Sequence, residues 1–341
     1  MRILLISTTV FTLPPKGYSG LEALVFDWSN EFAKQGHQVS VVAPEGSTMP
    51  AGIELIPTAL MVDESQAYPL YKDRLGEFDV IMDNSWLWYT VIAQMESGDK
   101  QLPVVHIYHS DPDFLPNPPP IKYPCLVGLS KEHARKIKEK WNGVETRMVY
   151  NGIPLNFYQF NPSVQRNGRY LWCARYTPQK MPLETIRLAK KCGGPLDLYG
   201  NTSIIRDQNY LNQCMAECDA KDIVFHLEVP REETVRLYQT HKALIHLVDY
   251  NEAFGLVPVE AMATGSPVIV NRRGALPELV EDGVSGFVVD TIEQAEEIIR
   301  SGKVDSIKPE DCRKRAEMFS IERSAQGYLE LFREVATGRV W

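Results

Sequence analysis

The sequence lacks a long apolar run, a cysteine framework, an excess of positive charge and a dinucleotide fingerprint. No uninterrupted apolar segment approaches the roughly 20 residues that a bilayer-spanning helix needs. The opening run, MRILLI, is too short for a secretory signal, so the expected compartment is the cytoplasm. The 6 cysteines are scattered, and the spacing of Cys214 and Cys218 suits neither a zinc knuckle nor a redox pair. They are expected as reduced thiols. With no glycosylating compartment in view, the sequon Asn201-Thr202-Ser203 is read as chance. A formal net charge of -8 excludes a broad nucleic-acid surface, so an anionic ligand has to meet locally focused cations. The three-glycine turn with an acid at the next strand end is also missing. That argues against a nicotinamide-dependent oxidoreductase, which would share much of the pattern described next.

What is present is regular alternation. Hydrophobic residues make up 44% and charged residues 23%, the balance of a globular chain, and 341 residues leave room for two domains. Apolar strand-like segments at 2–7, 38–43, 53–57, 79–82, 104–108, 126–129 and 146–150 are separated by segments of helical period. In 21–35, Leu24, Trp28 and Phe32 share one face, and further helices are expected at 86–96 and 131–141. After the polar stretch 161–168 the pattern restarts, with strands at 170–174, 196–199, 223–227, 243–248 and 268–270. Helices at 184–191, 291–301 and 320–335 complete it. Strands alternating with helices specify parallel sheets covered on both faces. The fold class read from this is α/β, two Rossmann-like β/α/β domains facing an interdomain cleft. The helix 131–141 carries Lys131, Arg135, Lys136, Lys138 and Lys140 opposite Ala134, Ile137 and Trp141. It offers a peripheral contact to the cytoplasmic face of an anionic membrane, although a solvated charged helix is the commoner use of such a pattern.

Parallel sheets bind ligands beyond the carboxyl ends of their strands, so the loops there hold the candidates. Gly17, Ser19 and Gly20 precede the first helix, where glycines let backbone N–H groups approach an anion; a tight turn explains them equally well. His109 ends the strand 104–108 and can bond a hydroxyl or phosphate near neutral pH, whereas His106, inside the strand, reads as core. Arg175 and Lys180 flank the loop after the second block's first strand, where two cations can clamp a diphosphate. The stretch 251–290 opens with Glu252, Ala253, Phe254, Gly255 and Leu256 and reaches Glu260 seven residues beyond Glu252. Pro258 is tolerated in a first helical turn and Gly265 marks a helix end. Either glutamate alone reads as a helix cap or dipole partner; the spaced pair around a glycine is explained less well that way.

These residues resemble a known family. The Glu252 to Glu260 segment is similar to the glutamate–seven–glutamate motif of retaining, nucleotide-sugar-dependent glycosyltransferases of the GT-B fold, family 4 (glycosyl transferases group 1). The loop at 14–22, the histidine segment 104–110, the Asn151-Gly152-Ile153 strand end, and the Arg175 and Lys180 pair match that family's motifs in order. Ser19 stands where the family often has a second glycine, and Arg273 replaces another frequent glycine.

The resemblance implies a hexosyltransferase that moves a sugar from a UDP- or GDP-sugar to an unidentified glycan, lipid-linked or small-molecule acceptor. It implies retention by a front-face route, with no cofactor beyond the nucleotide-sugar co-substrate and no metal. Arg175 and Lys180 would meet the diphosphate, Glu260 the ribose and Glu252 the transferred sugar. His109 would bind donor or acceptor hydroxyls, and Gly17, Ser19, Gly20 and residues 253–256 would line the donor. The implied division is an acceptor-side domain at 1–155, rejoined by a helix at about 320–341, and a donor domain at 165–319. A non-catalytic sugar-nucleotide-binding homologue is the alternative that keeps the same residues.

Overall fold

The computed structural model describes residues 1–341 except 18, 99, 115–116 and 202–206. Tyr18 of the first loop, and Thr202 and Ser203 of the sequon, therefore lie outside the described residues. The chain divides into two compact units, Met1–Gly152 with Ile321–Trp341, and Ile153–Ser320.

The first unit is built on a parallel sheet of β1 (Arg2–Ile6), β2 (Gln38–Pro44), β3 (Ile53–Thr58), β4 (Val80–Asp83), β5 (Val104–Ile107), β6 (Leu126–Gly128) and β7 (Thr146–Met148). Its order is β3-β2-β1-β4-β5-β6-β7. Central strands are apolar on both faces because helices cover both sides: Ile3, Leu4 and Leu5 are fully buried. The helices are α1 (Gly20–Lys34), α2 (Glu64–Ala67), α3 (Thr90–Glu96) and α4 (Lys131–Lys140). The expected helix at 86–96 begins only at Thr90. The main-chain N–H groups of Trp86 and Leu87 instead donate to the Glu64 carboxylate at 2.8 Å each, and Trp88 takes a positive φ of 47°. In α4 the apolar face is used internally: Ile137 and Trp141 are buried with Trp88, Tyr108 and Leu126. Arg135 is paired with Glu132 and Glu139 on the outer face. Any membrane contact through α4 would thus be made by charges alone, not by inserting that apolar face. No helix among the described residues is long and apolar enough to cross a membrane.

The second unit carries β8 (Tyr170–Arg175), β9 (Leu196–Asn201), β10 (Ile223–Leu227), β11 (Ala243–His246), β12 (Val268–Asn271) and β13 (Gly286–Val289). The order is β10-β9-β8-β11-β12-β13, again parallel. β13 is absent from the strand segments read above; it is a short edge strand opening on glycine. Its helices are α5 (Pro182–Cys192), α6 (Gln208–Ala216), α7 (Arg231–Thr240), α8 (Leu256–Ala263), α9 (Leu276–Leu279), α10 (Ile292–Ser301) and α11 (Pro309–Ala316). All six cysteines are free.

The last helix, α12 (Ile321–Ala336), belongs to the first unit. Tyr328 packs edge-on to Trp28 at 5.1 Å and Phe332 lies 5.5 Å from Phe32, all four rings being fully buried. The Trp28 indole donates to Ser324 at 3.0 Å. Beyond the helix, the Trp341 indole donates to the Leu126 carbonyl at 3.0 Å.

Candidate active site

An open parallel sheet leaves a crevice where its strand order reverses, outside the carboxyl ends of two adjacent strands. In the second unit that reversal lies between β8 and β11. The loops 176–181 and 247–255 therefore meet although they are distant in sequence. Asp249 N–H donates to the Gln179 carbonyl at 2.9 Å, and the Trp172 indole fixes the Lys180 carbonyl at 3.0 Å. On this frame the Lys180 ammonium reaches Glu252 Oε2 at 2.6 Å and the Tyr250 hydroxyl at 2.5 Å. Tyr250 donates to the same carboxylate oxygen, and its ring lies 5.0 Å from the ammonium. Burial opposes ionisation of Glu252, but the Lys180 ammonium outweighs it and holds the carboxyl well below the usual range.

His246, the last residue of β11, is buried, with Nε2 3.7 Å from Glu252 Oε2. That is beyond hydrogen-bond length, and this nitrogen has no hydrogen-bond partner. Burial pushes its imidazole pKa down. The loop after β12 closes the site from behind. Gly274 has φ of +53°, and a Cβ there would lie 2.2 Å from the Glu252 carbonyl oxygen and 2.5 Å from its nitrogen. Only glycine allows that approach. Ala275 N–H donates to the same carbonyl at 2.8 Å.

The remaining candidates of this unit have separate settings. Arg175 ends β8 exposed, with no side-chain hydrogen bond or ion pair among the described residues. Gly255 precedes α8 with φ of +102°, and no side chain caps the helix. Ala253 and Phe254 are buried, the phenyl ring packing on Phe319 at 5.8 Å. What residues 253–255 can offer a ligand is therefore main chain. Leu256 is half-buried at the first position of α8. Glu260, on α8, is buried and accepts from Tyr238 at 3.0 Å. Burial and the Glu260 carboxylate push the Tyr158 hydroxyl pKa well up. Arg273 stands exposed in the loop after β12, 3.7 Å from Asp249.

In the first unit the order reverses between β1 and β4. Gly17 lies in the loop leaving β1, Gly20 opens α1, and Ser19 is its N-cap without side-chain capping. The Ser19 hydroxyl donates to Glu22, which also accepts from Thr8. Any contact Ser19 makes with a ligand is thus left to its backbone. Ser19 and Glu22 have the spacing of a capping box, whose side chains bond main-chain N–H groups, but here they bond each other instead. His109 follows β5 and is partly exposed, bonded through Nε2 to Asn84 Oδ1 at 3.0 Å, with the Trp28 ring 6.5 Å away. His106 is core, between Thr90 at 3.0 Å and the Pro124 carbonyl at 2.5 Å. Among the described residues no group of three or more His, Cys, Asp or Glu could hold a metal ion.

The Lys180–Glu252 pair lies in a segment of the chain that matches a known sequence family. Residues 179–319 match glycosyl transferases group 1. That segment runs from the loop before α5 to just past α11 and contains Lys180, Glu252 and Glu260. Over 156 residues the chain is 30% identical to a D-inositol 3-phosphate glycosyltransferase of Corynebacterium jeikeium, covering 42% of this chain and 35% of that one. Over 109 residues it is 34% identical to the enzyme of that name from Saccharomonospora viridis, covering 30% and 25% respectively. The chain thus spans about a third or less of these relatives' length. Among solved structures, a sucrose-phosphate synthase from Thermosynechococcus elongatus aligns with a TM-score of 0.81 at 15% identity, over 99% of both chains. AviGT4, a glycosyltransferase involved in avilamycin A biosynthesis, aligns at 0.76 and 19%, over 100% and 99%. HepE of Anabaena, in complex with UDP and glucose, aligns at 0.73 and 19%, over 98% and 100%. At these identities the likeness shows the fold: two parallel-sheet Rossmann-like domains of the GT-B type.

Tyr250, His246 and Asn84 escape a reading of the sequence alone, because each acquires its role from strand order. The signal that could have found the first two is their place on the segment between the end of β11 and Glu252.

Proposed function

We propose that this protein transfers a hexosyl group from a nucleoside diphosphate sugar to an acceptor hydroxyl, with retention at the anomeric carbon and without a metal. The observation that carries this reading is the Lys180–Glu252 pair at the β8/β11 reversal, inside the segment that matches group 1 glycosyltransferases. The pair is poised for an anion. A diphosphate arriving beside unpaired Arg175 draws the Lys180 ammonium from Glu252 and leaves that carboxylate free to accept a sugar hydroxyl. As the anomeric C–O bond breaks, charge grows on the leaving phosphate, where Arg175, Lys180 and the first-turn N–H groups of α8 stabilise it. The acceptor oxygen bonds to the anomeric carbon on the same face, and its proton passes to the departing phosphate oxygen. No protein nucleophile is required. Glu260 is assigned to the ribose, which requires Tyr238 to share the carboxylate with the ligand.

HepE was crystallised with UDP-glucose, which supports a UDP-hexose as the first donor to test. The experiment is a panel of UDP- and GDP-hexoses scored by thermal shift and by slow hydrolysis without acceptor. A subset is expected to stabilise the protein and to be hydrolysed, while NAD does neither. Binding without turnover in the presence of any acceptor class would support the non-catalytic alternative. No response to any sugar nucleotide sinks both.

A further inference from the structure

The two nitrogens of a neutral imidazole act oppositely, one donating and one accepting, and the partner of one sets the role of the other. At His109 that partner is Asn84. Its Oδ1 lies 3.0 Å from His109 Nε2, while its Nδ2 donates to the Met82 carbonyl at 3.2 Å. A carbonyl cannot donate, so a flipped amide would set two oxygens against each other. Asn84 is fully buried, and its main-chain N–H donates to Ile6 at 2.9 Å, so the amide has no water to turn toward. With Oδ1 fixed as the acceptor, Nε2 carries the hydrogen. His109 Nδ1 has no hydrogen bond among the described residues.

The titratable neighbour is His133. Its Nδ1 accepts from Leu129 N–H at 3.1 Å and its Nε2 donates to the Ser110 carbonyl at 2.8 Å, which makes it neutral too. Burial pushes the His109 pKa down to about 3.

We propose that Asn84 is a positioning residue that fixes His109 as the Nε2–H tautomer, so that Nδ1 is left to accept a hydrogen bond from a substrate hydroxyl. The tautomer stands on geometry alone; the hydroxyl rests on the function proposed above. His109 then acts as an acceptor toward the substrate, not as a donor or a cation.

Nitrogen-15 NMR of histidine-labelled protein at pH 7, with His109→Gln to assign the signal, tests both parts. The expected pattern is a protonated Nε2 and an unprotonated Nδ1. Asn84→Leu removes the lock, giving a mixture of tautomers and about a tenfold lower transfer rate. Asn84→Asp, whose carboxylate still accepts from Nε2–H, keeps the tautomer, which a merely structural role for the amide would not require. Adding the substrates, the donor found in the panel alone or with an acceptor, should move the Nδ1 resonance, while the sugar-free nucleoside diphosphate should not. An Nδ1–H tautomer, an imidazolium at pH 7, or an unchanged tautomer in Asn84→Leu overturns the lock. A fixed tautomer whose Nδ1 signal ignores every bound substrate overturns the hydroxyl assignment, and a panel with no binding at all removes the function without touching the tautomer.

Discussion

Lys180 and Glu252 neutralise each other where both are mostly out of solvent, with side-chain exposures of 14% and 12%. Such a pair is costly to break from one side, because the survivor is left charged without a partner. Lys180→Ala is therefore expected to lower the transfer rate about a hundredfold, the usual loss for one donor to a developing charge. It should also lower the melting temperature, whereas Arg175→Ala, which breaks no pair, should lower the rate alone. Equal rates for Lys180→Ala and the parent with every accepted donor would remove Lys180 from the mechanism. Asp197 supplies a second, purely structural case. Arg169 grips it at 2.8 and 2.7 Å and His241 Nε2 approaches to 3.0 Å. Burial opposes its ionisation, but these partners prevail and hold its pKa below the normal value. A carboxyl with a depressed folded-state pKa contributes stability that is present above its unfolded value of about 4 and lost as the pH falls through the folded one. Asp197→Ala should cost roughly 3 kcal/mol at pH 7 and flatten the acid limb of a stability–pH curve. A parallel curve would show that another group governs that limb. Residues with a fixed chemical spacing, such as Lys180, Glu252 and Glu260, could be picked out in the sequence. Tyr250, His246 and Asn84 could not, since an isolated tyrosine, histidine or asparagine takes its meaning from a neighbour that strand order supplies.

Among the elements, the loop after β12 shows how packing governs a site it does not itself line. Gly274 lets that loop press on the main chain of Glu252. Gly274→Ala forces the two loops apart and is expected to destabilise the protein by about 1–3 kcal/mol, with a weaker grip on the sugar nucleotide. Val270→Ala in the neighbouring strand, which only removes buried methyl groups, should destabilise without changing affinity beyond what the loss of folded protein explains. If both variants bind the donor like the parent, the loop contact does not hold Glu252 in place. Helix and strand identities followed from hydrophobic period wherever the period was long, as in α1, α10 and α12. The exceptions have physical causes. Residues 86–89 look helical because Trp86, Leu87 and Trp88 are apolar, yet the Glu64 carboxylate captures two of their N–H groups and holds a turn. β13 is hidden because four residues at a sheet edge, starting with glycine, carry little period of their own.

For the whole molecule, the alternating pattern was enough to expect two Rossmann-like sheets, because parallel strands buried on both faces write themselves as apolar runs between amphipathic helices. Strand order within each sheet was not written there, and both candidate loop pairs depend on it. Each unit has its own sheet and core, and the first is completed by residues from the far end of the chain. Trp28 and Phe32 are sealed by Tyr328 and Phe332, and burying one such side chain is worth roughly 1.5–3 kcal/mol. Losing several of these contacts approaches the whole margin of an ordinary domain, about 5–15 kcal/mol. Removing residues 321–341 should therefore unfold the first unit at much lower temperature while leaving the second with its own transition. Calorimetry of the truncated and full chains, each with and without the donor, reads this directly. The transition assigned to Ile153–Ser320 should stay in place and still rise on addition of the sugar nucleotide, because Lys180, Glu252 and Glu260 all lie within it. A single transition that falls as one on truncation would show that the two cores do not melt separately, and loss of the donor-induced rise would show that the second unit cannot bind unaided.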